Sequence, residues 1–143
     1  MPDVNVDRLR ELAGHLRDAV RQLRELATAA EADFLRDSRT LNSAKYLLIV
    51  ATEAALDICN HVAARRGGRS PRDYADCMTV LRELGALDVD LERRLAGMVR
   101  FRNVLVHLYD RLDDRRVYRV LREDLGDFDA YLAAIGRYLR AEL

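Results

Sequence analysis

Very little in this chain interrupts a helix. Only two prolines, Pro2 and Pro71, and seven glycines occur in 143 residues, and no strand-type alternation is sustained anywhere along it. Cysteine is as scarce. Cys59 and Cys77 are the only two, and they lie at neither metal-binding nor redox-motif spacing, so the expectation is reduced thiols in a cytoplasmic protein. No apolar run approaches the ~20 residues of a membrane span, and the charged N-terminus lacks the apolar stretch of a signal peptide, which argues against a membrane location. There is no excess charge of one sign either: 24 Lys plus Arg stand against 24 Asp plus Glu. That balance removes the simplest argument for nucleic-acid binding, a chain basic throughout. A Walker loop, a Gly-rich dinucleotide turn and a G-x-S-x-G elbow are all missing. His15, His61 and His107 each stand without a Cys or His at ligand spacing, so neither a metal nor another cofactor is expected.

What the chain does have is helical periodicity. Leu9, Leu12, Leu16, Ala19, Leu23, Leu26 and Ala30 recur at steps of three and four, and Leu41, Ala44, Leu48, Ala51, Ala55, Ile58 and Val62 repeat the pattern. Each series draws an apolar stripe down one helix face, with charged residues opposite. Asp33 to Asp37 reads as a short connection, with Ser38 as the cap of the second helix. Gly67-Gly68 ends that helix near Arg66. Ser70-Pro71 starts a short third helix, which stops at Gly85. Asp88 caps a fourth helix reaching Tyr109, and Asp113 caps a fifth, with a bend or break at Gly126. A chain of this length buries enough surface to need no disulfide or metal. The fold class is all-α: one domain over residues 1–143, an up-and-down bundle of four long helices and a short one.

The segment from Met98 to Tyr109 carries more than a core stripe. Arg102, Asn103, His107 and Tyr109 interrupt an otherwise apolar run. Asn103 and His107 are four apart and share a face, as do Arg102 and Tyr109, seven apart. Arg102 and His107 differ by about 140° around a helix and roughly 7.5 Å along it. One helix therefore does not focus both on a single atom, whereas two copies about a two-fold axis could. The charge is uneven too: Arg93 to Arg122 holds nine arginines against three aspartates, a local +6 that leaves −6 for the remainder. Such a patch suits a phosphate-bearing ligand. On spacing alone two accounts stand, a set of hydrogen-bonded core residues or a functional cluster. His61 reads as a packing residue or a helix-end charge, and His15 as solvated.

Arg102-Asn103-Val104-Leu105-Val106-His107-Leu108-Tyr109 resembles the R-N-x-x-x-H-x-Y signature of HepT-like toxins, within the HEPN superfamily. Asp57 to His61, Arg72 to Asp76, Leu95 to Met98 and the Val117-Tyr118 helix are similar to that family as well, so the resemblance spans about Val6 to Tyr138. It implies a homodimeric helical bundle that cleaves RNA without a metal; with histidine and arginine acting on the ribose 2′-hydroxyl and the phosphate, the expected product ends in a 2′,3′-cyclic phosphate. It also implies an antitoxin partner, a minimal nucleotidyltransferase of the MntA type that transfers AMP to the motif tyrosine. On this reading Arg102 and His107 form the catalytic pair, Asn103 supports them and Tyr109 accepts the AMP. The alternatives are a non-catalytic HEPN module that binds nucleotide or RNA and recruits the transferase without cutting, and a purely structural helical interaction domain.

Overall fold

The computed structural model describes residues 3–108 and 111–143, and every regular element among them is a helix. In chain order these are α1 (Val6–Leu26), α2 (Glu31–Arg36), α3 (Ser38–Arg65), α4 (Tyr74–Glu83), α5 (Val89–His107), α6 (Asp114–Glu123) and α7 (Gly126–Leu139). The all-helical bundle matches expectation, but its elements are more divided. The segment read as a connection folds into α2, because Phe34 inserts fully into the core and stacks at a tilt on Tyr118, with ring centroids 5.0 Å apart. The fifth helix breaks where Gly126 suggested: α6 ends at Glu123, and α7 begins at Gly126.

Aspartates, not serines, cap α3 to α6. Asp37 caps α3, its Oδ1 accepting from the Arg39 and Thr40 amides while Oδ2 accepts from the Thr40 hydroxyl. Asp73 caps α4 by accepting from the Asp76 amide at 2.7 Å, so α4 starts three residues after Ser70-Pro71. Asp88 and Asp113 cap α5 and α6, as their sequence positions suggested.

α3 is the central element. Leu48, Ala51, Ala55, Ile58, Cys59 and Val62 are all essentially buried. α3 alone among the described helices is long and apolar enough to cross a membrane, and 61% of its most apolar window is buried inside the bundle. α1 packs antiparallel on α3: the Asn5 amide at the start of α1 donates to Nε2 of His61 near the end of α3, at 2.9 Å. α7 closes the core from the far side, where the buried Tyr131 hydroxyl donates to the Ala55 carbonyl at 2.7 Å.

The hydrogen bond to His61 requires an unprotonated Nε2, and this decides between the two readings of that residue in favour of packing. Burial, then the positive charges of Arg65 and Arg8, hold its pKa below the ordinary 6.5. The unfolded chain therefore binds the extra proton first. The contribution of this contact is present above pH 6.5 and is lost as pH falls through the folded value. Between about pH 7 and pH 5 the melting temperature of the wild type is expected to fall more steeply than that of His61→Gln. Thermal melts of the two proteins across that range check this.

The thiols correct the sequence expectation. Cys59 on α3 and Cys77 on α4 are joined as a disulfide, with Cα atoms 6.3 Å apart. Folding α4 back along α3 brings together residues 18 apart in sequence, which spacing motifs for metals or redox dithiols do not register. Closing a loop of this size stabilises a fold by about 3 kcal/mol. Urea denaturation with and without reductant is expected to differ by that amount, and neither cysteine should take up an alkylating reagent before reduction.

Candidate active site

Residues 102–107 form the last turns of α5, on the side that faces α3 and the start of α4. Phe101 and Leu105 point into the core and fix the rotation of the helix. That rotation leaves Arg102 and Asn103 partly covered and Val106, His107 and Leu108 exposed.

Arg102 is held on three sides. One terminal nitrogen donates to Oε1 of Glu53 on α3 at 2.7 Å, and the other donates to Oδ1 of Asn103 at 3.1 Å. The guanidinium carbon also lies over the Tyr74 ring, 5.2 Å from its centroid. The Arg102 side chain is 12% exposed and Glu53 is 50% exposed, so the pair sits at the boundary between core and solvent. Nε of Arg102 is buried and has no hydrogen-bond partner among the described residues. Because Asn103 accepts through its oxygen, its amide nitrogen remains as a donor.

Tyr74 reaches Arg102 because the start of α4 is pinned. Arg69 grips the buried Asp76 carboxylate with two hydrogen bonds, of 2.6 and 2.8 Å, and the Arg72 amide adds a third at 2.8 Å. The Arg69 guanidinium and then the Arg72 amide hold the Asp76 carboxyl well below the usual carboxylate range. The Arg72 to Asp76 stretch thus has a physical reading: Asp73 caps the helix, Asp76 locks the loop, and Tyr74 is left over Arg102.

His107 is the final residue of α5, and the Leu108 amide closes the helix by donating to the Val104 carbonyl at 2.8 Å. Its imidazole is exposed and makes no hydrogen bond with any described residue. Within one chain no hydrogen bond links it to Arg102, in keeping with their offset along one helix. Arg102 and Asn103 are therefore brought together, while His107 stands apart. Tyr109, the expected AMP acceptor, lies outside the described residues. The larger surface cavities lie elsewhere: one of about 740 Å³ beside the C-terminus of α7 and another of about 580 Å³ between α5 and α6. The described end of the motif, Val106 to Leu108, lies on open surface, which a polymer can approach. Among the described residues no His, Cys, Asp and Glu cluster could hold a metal ion.

Sequence reasoning missed Glu53 and Tyr74 as partners of Arg102. Glu53 gives no local signal, being one acidic residue on the polar side of a long helix. Tyr74 was visible only as part of the family-like Arg72 to Asp76 stretch.

The structure thus defines a class by its own features, an all-helical bundle that displays an arginine-asparagine pair and an exposed histidine at the end of one helix. Within that class, the chain belongs to the ribonuclease HepT-like family, whose family model matches residues 16–135. It is 31% identical over 101 residues to the mRNA nuclease HepT of Shewanella oneidensis, covering 71% of this chain and 72% of that relative. It is 26% identical over 130 residues to the tRNA nuclease HepT of Aphanizomenon flos-aquae, covering 90% of this chain and 86% of the relative. The fold is that of the tri-AMPylated Shewanella oneidensis HEPN toxin in complex with its MNT antitoxin, with a TM-score of 0.84 at 23% identity, covering 90% of this chain and 96% of the other.

Proposed function

We propose that this protein is the toxin of a HepT/MntA-type toxin–antitoxin system, a cytoplasmic RNA endonuclease that needs no metal and is silenced by AMP on Tyr109. The observation that carries this is the end of α5, where an exposed histidine follows an arginine fixed by Glu53 and Asn103. Membership of a family with relatives named as nucleases supports the same reading.

The residue types match the chemistry. Cleaving an RNA strand with its own 2′-hydroxyl needs one group to take that proton and one to protonate the leaving 5′-oxygen. Histidine serves either role near neutral pH. Arg102 keeps its charge and faces the phosphorane oxygens as negative charge builds on them. The amide nitrogen of Asn103, which bonds to no described residue, supplies a further donor. The 2′-oxygen attacks phosphorus, the bond to the 5′-oxygen breaks, and the product carries a 2′,3′-cyclic phosphate. In silencing, the Tyr109 hydroxyl attacks the α-phosphate of ATP in the antitoxin's site and pyrophosphate departs. The AMP left two residues from His107 adds bulk and negative charge beside the path of the RNA.

The separation of Arg102 from His107 along α5 is best met by a homodimer in which one subunit supplies Arg102 and the other His107. Light scattering at micromolar concentration is expected to give the dimer mass. Mixing Arg102→Ala and His107→Ala subunits is expected to restore one composite site per mixed dimer and with it part of the activity, whereas neither variant cleaves alone. A monomer, or mixed subunits that stay inactive, would count against a shared site. The nuclease reading itself is tested by incubating unmodified protein with RNA in excess EDTA. Cleavage is expected from the wild type and not from His107→Ala; a non-catalytic binding module would leave the RNA intact in both.

A further inference from the structure

Tyr74 has a feature that holding Arg102 does not account for: the residue is 51% exposed. Of the other tyrosines in the described residues, Tyr131 and Tyr118 are buried and donate to the carbonyls of Ala55 and Ala29, Tyr138 is half-buried near Arg66, and Tyr46 on α3 is 65% exposed. Tyr74 instead has one ring face against the Arg102 guanidinium, and about half of its surface is open to water. It is also held firmly, because Asp73 and Asp76 fix the turn of helix that carries it. A firmly held, half-exposed aromatic side chain in contact with a catalytic arginine is a surface that unpaired bases can stack on. The Arg72 side chain, two residues away in the chain and 81% exposed, adds a cation to the same segment for the backbone that such a base brings with it.

We infer that Tyr74 is a base-stacking platform, so that the substrate is single-stranded RNA whose base next to the scissile phosphate lies on the Tyr74 ring. The inference rests on the nuclease reading and sharpens it. A base still paired in a duplex cannot stack on the ring, so duplex RNA is excluded from cleavage even though its phosphates carry the same charge. The base sits on the ring while its phosphate meets Arg102, and the Arg102–Tyr74 contact sets the spacing between the two. Since every base has a π-face, stacking selects strandedness more than sequence.

The experiment uses the full chain and a single-stranded oligoribonucleotide in which the wild-type cleavage position has been mapped and then blocked with a 2′-deoxy nucleotide. Binding is measured by fluorescence anisotropy for the wild type, Tyr74→Leu and Tyr74→Trp, with normal RNA and with RNA made abasic on either side of the mapped position. Tyr74→Leu is expected to weaken binding about fivefold to a hundredfold, the range seen when a stacking aromatic is removed. Tyr74→Trp should bind at least as well as the wild type. The abasic substitution at one flank should cost the wild type a similar factor and cost Tyr74→Leu nothing more. Penalties that simply multiply, or wild-type cleavage of the duplex at the single-stranded rate, would overturn the platform. So would a Tyr74→Leu protein that binds normally but cleaves slowly, since Tyr74 would then act only by positioning Arg102. Failure of the nuclease reading looks different: the wild type then cleaves no RNA at the mapping step. Binding to the uncleaved oligonucleotide in the same variants still decides the platform, and no loss in Tyr74→Leu would reject it.

Discussion

His107→Ala is expected to lower the rate of RNA cleavage by about a hundredfold to ten-thousandfold, the contribution of a positioned general acid or base. The fold should survive, because the imidazole is exposed and bonds to no described residue, and the helix end is closed by the Leu108 amide instead. Circular dichroism and thermal melting of the variant should overlay those of the wild type. Arg102→Lys makes a stricter comparison. It keeps the charge but not the planar fork that reaches Glu53 and Asn103 together. A loss of about a hundredfold or more is expected, similar to removal of a transition-state donor. Single-turnover rates on one RNA substrate measure both. Retention of near-wild-type activity by Arg102→Lys would mean that charge alone suffices and that the fork has no role.

The second large effect concerns control. Tyr109→Phe is expected to escape neutralisation altogether, since it removes the acceptor oxygen and nothing else. α5 ends at His107 with Leu108 as its cap, and chain beyond a helix end is more open to a second enzyme than a residue in mid-helix. The remaining tyrosines are poor substitutes. Tyr131 and Tyr118 have their hydroxyls committed to backbone carbonyls, and Tyr138 is half-buried. Tyr46 and Tyr74 are exposed but lie within helices. With the cognate transferase and ATP, intact-mass analysis should find AMP on the wild type and none on Tyr109→Phe. Cells carrying the variant beside the antitoxin should stop growing. AMP addition to the variant at the wild-type level would move the acceptor to one of the two exposed tyrosines.

The helical stripes of α1, α3 and α5 could be read from the sequence because each is a local pattern repeated over many turns. The caps at Asp88 and Asp113 were legible for the same reason. At Ser38 and Ser70 the chain offered a serine and, close by, an aspartate, and the aspartate won both times. At Asp37 the carboxylate satisfies two amides and a hydroxyl together. At Asp73 the choice is made by Arg69 and Asp76, whose contact exists only once the loop has folded. The motif residues Arg102, Asn103 and His107 could be named from their order, but the partners of Arg102 could not. Glu53 lies 49 residues away and Tyr74 comes from a different helix, so both contacts are products of packing. The Cys59–Cys77 pairing was hidden in the same way, since nothing in an 18-residue separation announces that α4 will fold back along α3.

The most direct test is a comparison of two oligoribonucleotides in excess EDTA, identical except for a 2′-deoxy sugar at the mapped cleavage position. If Arg102 and His107 drive attack by the neighbouring 2′-oxygen, the all-ribose strand is cut, its upstream product ends in a 2′,3′-cyclic phosphate, and the deoxy strand stays whole. Cleavage of the deoxy strand, or activity that disappears with the chelator, would contradict that mechanism at its first step.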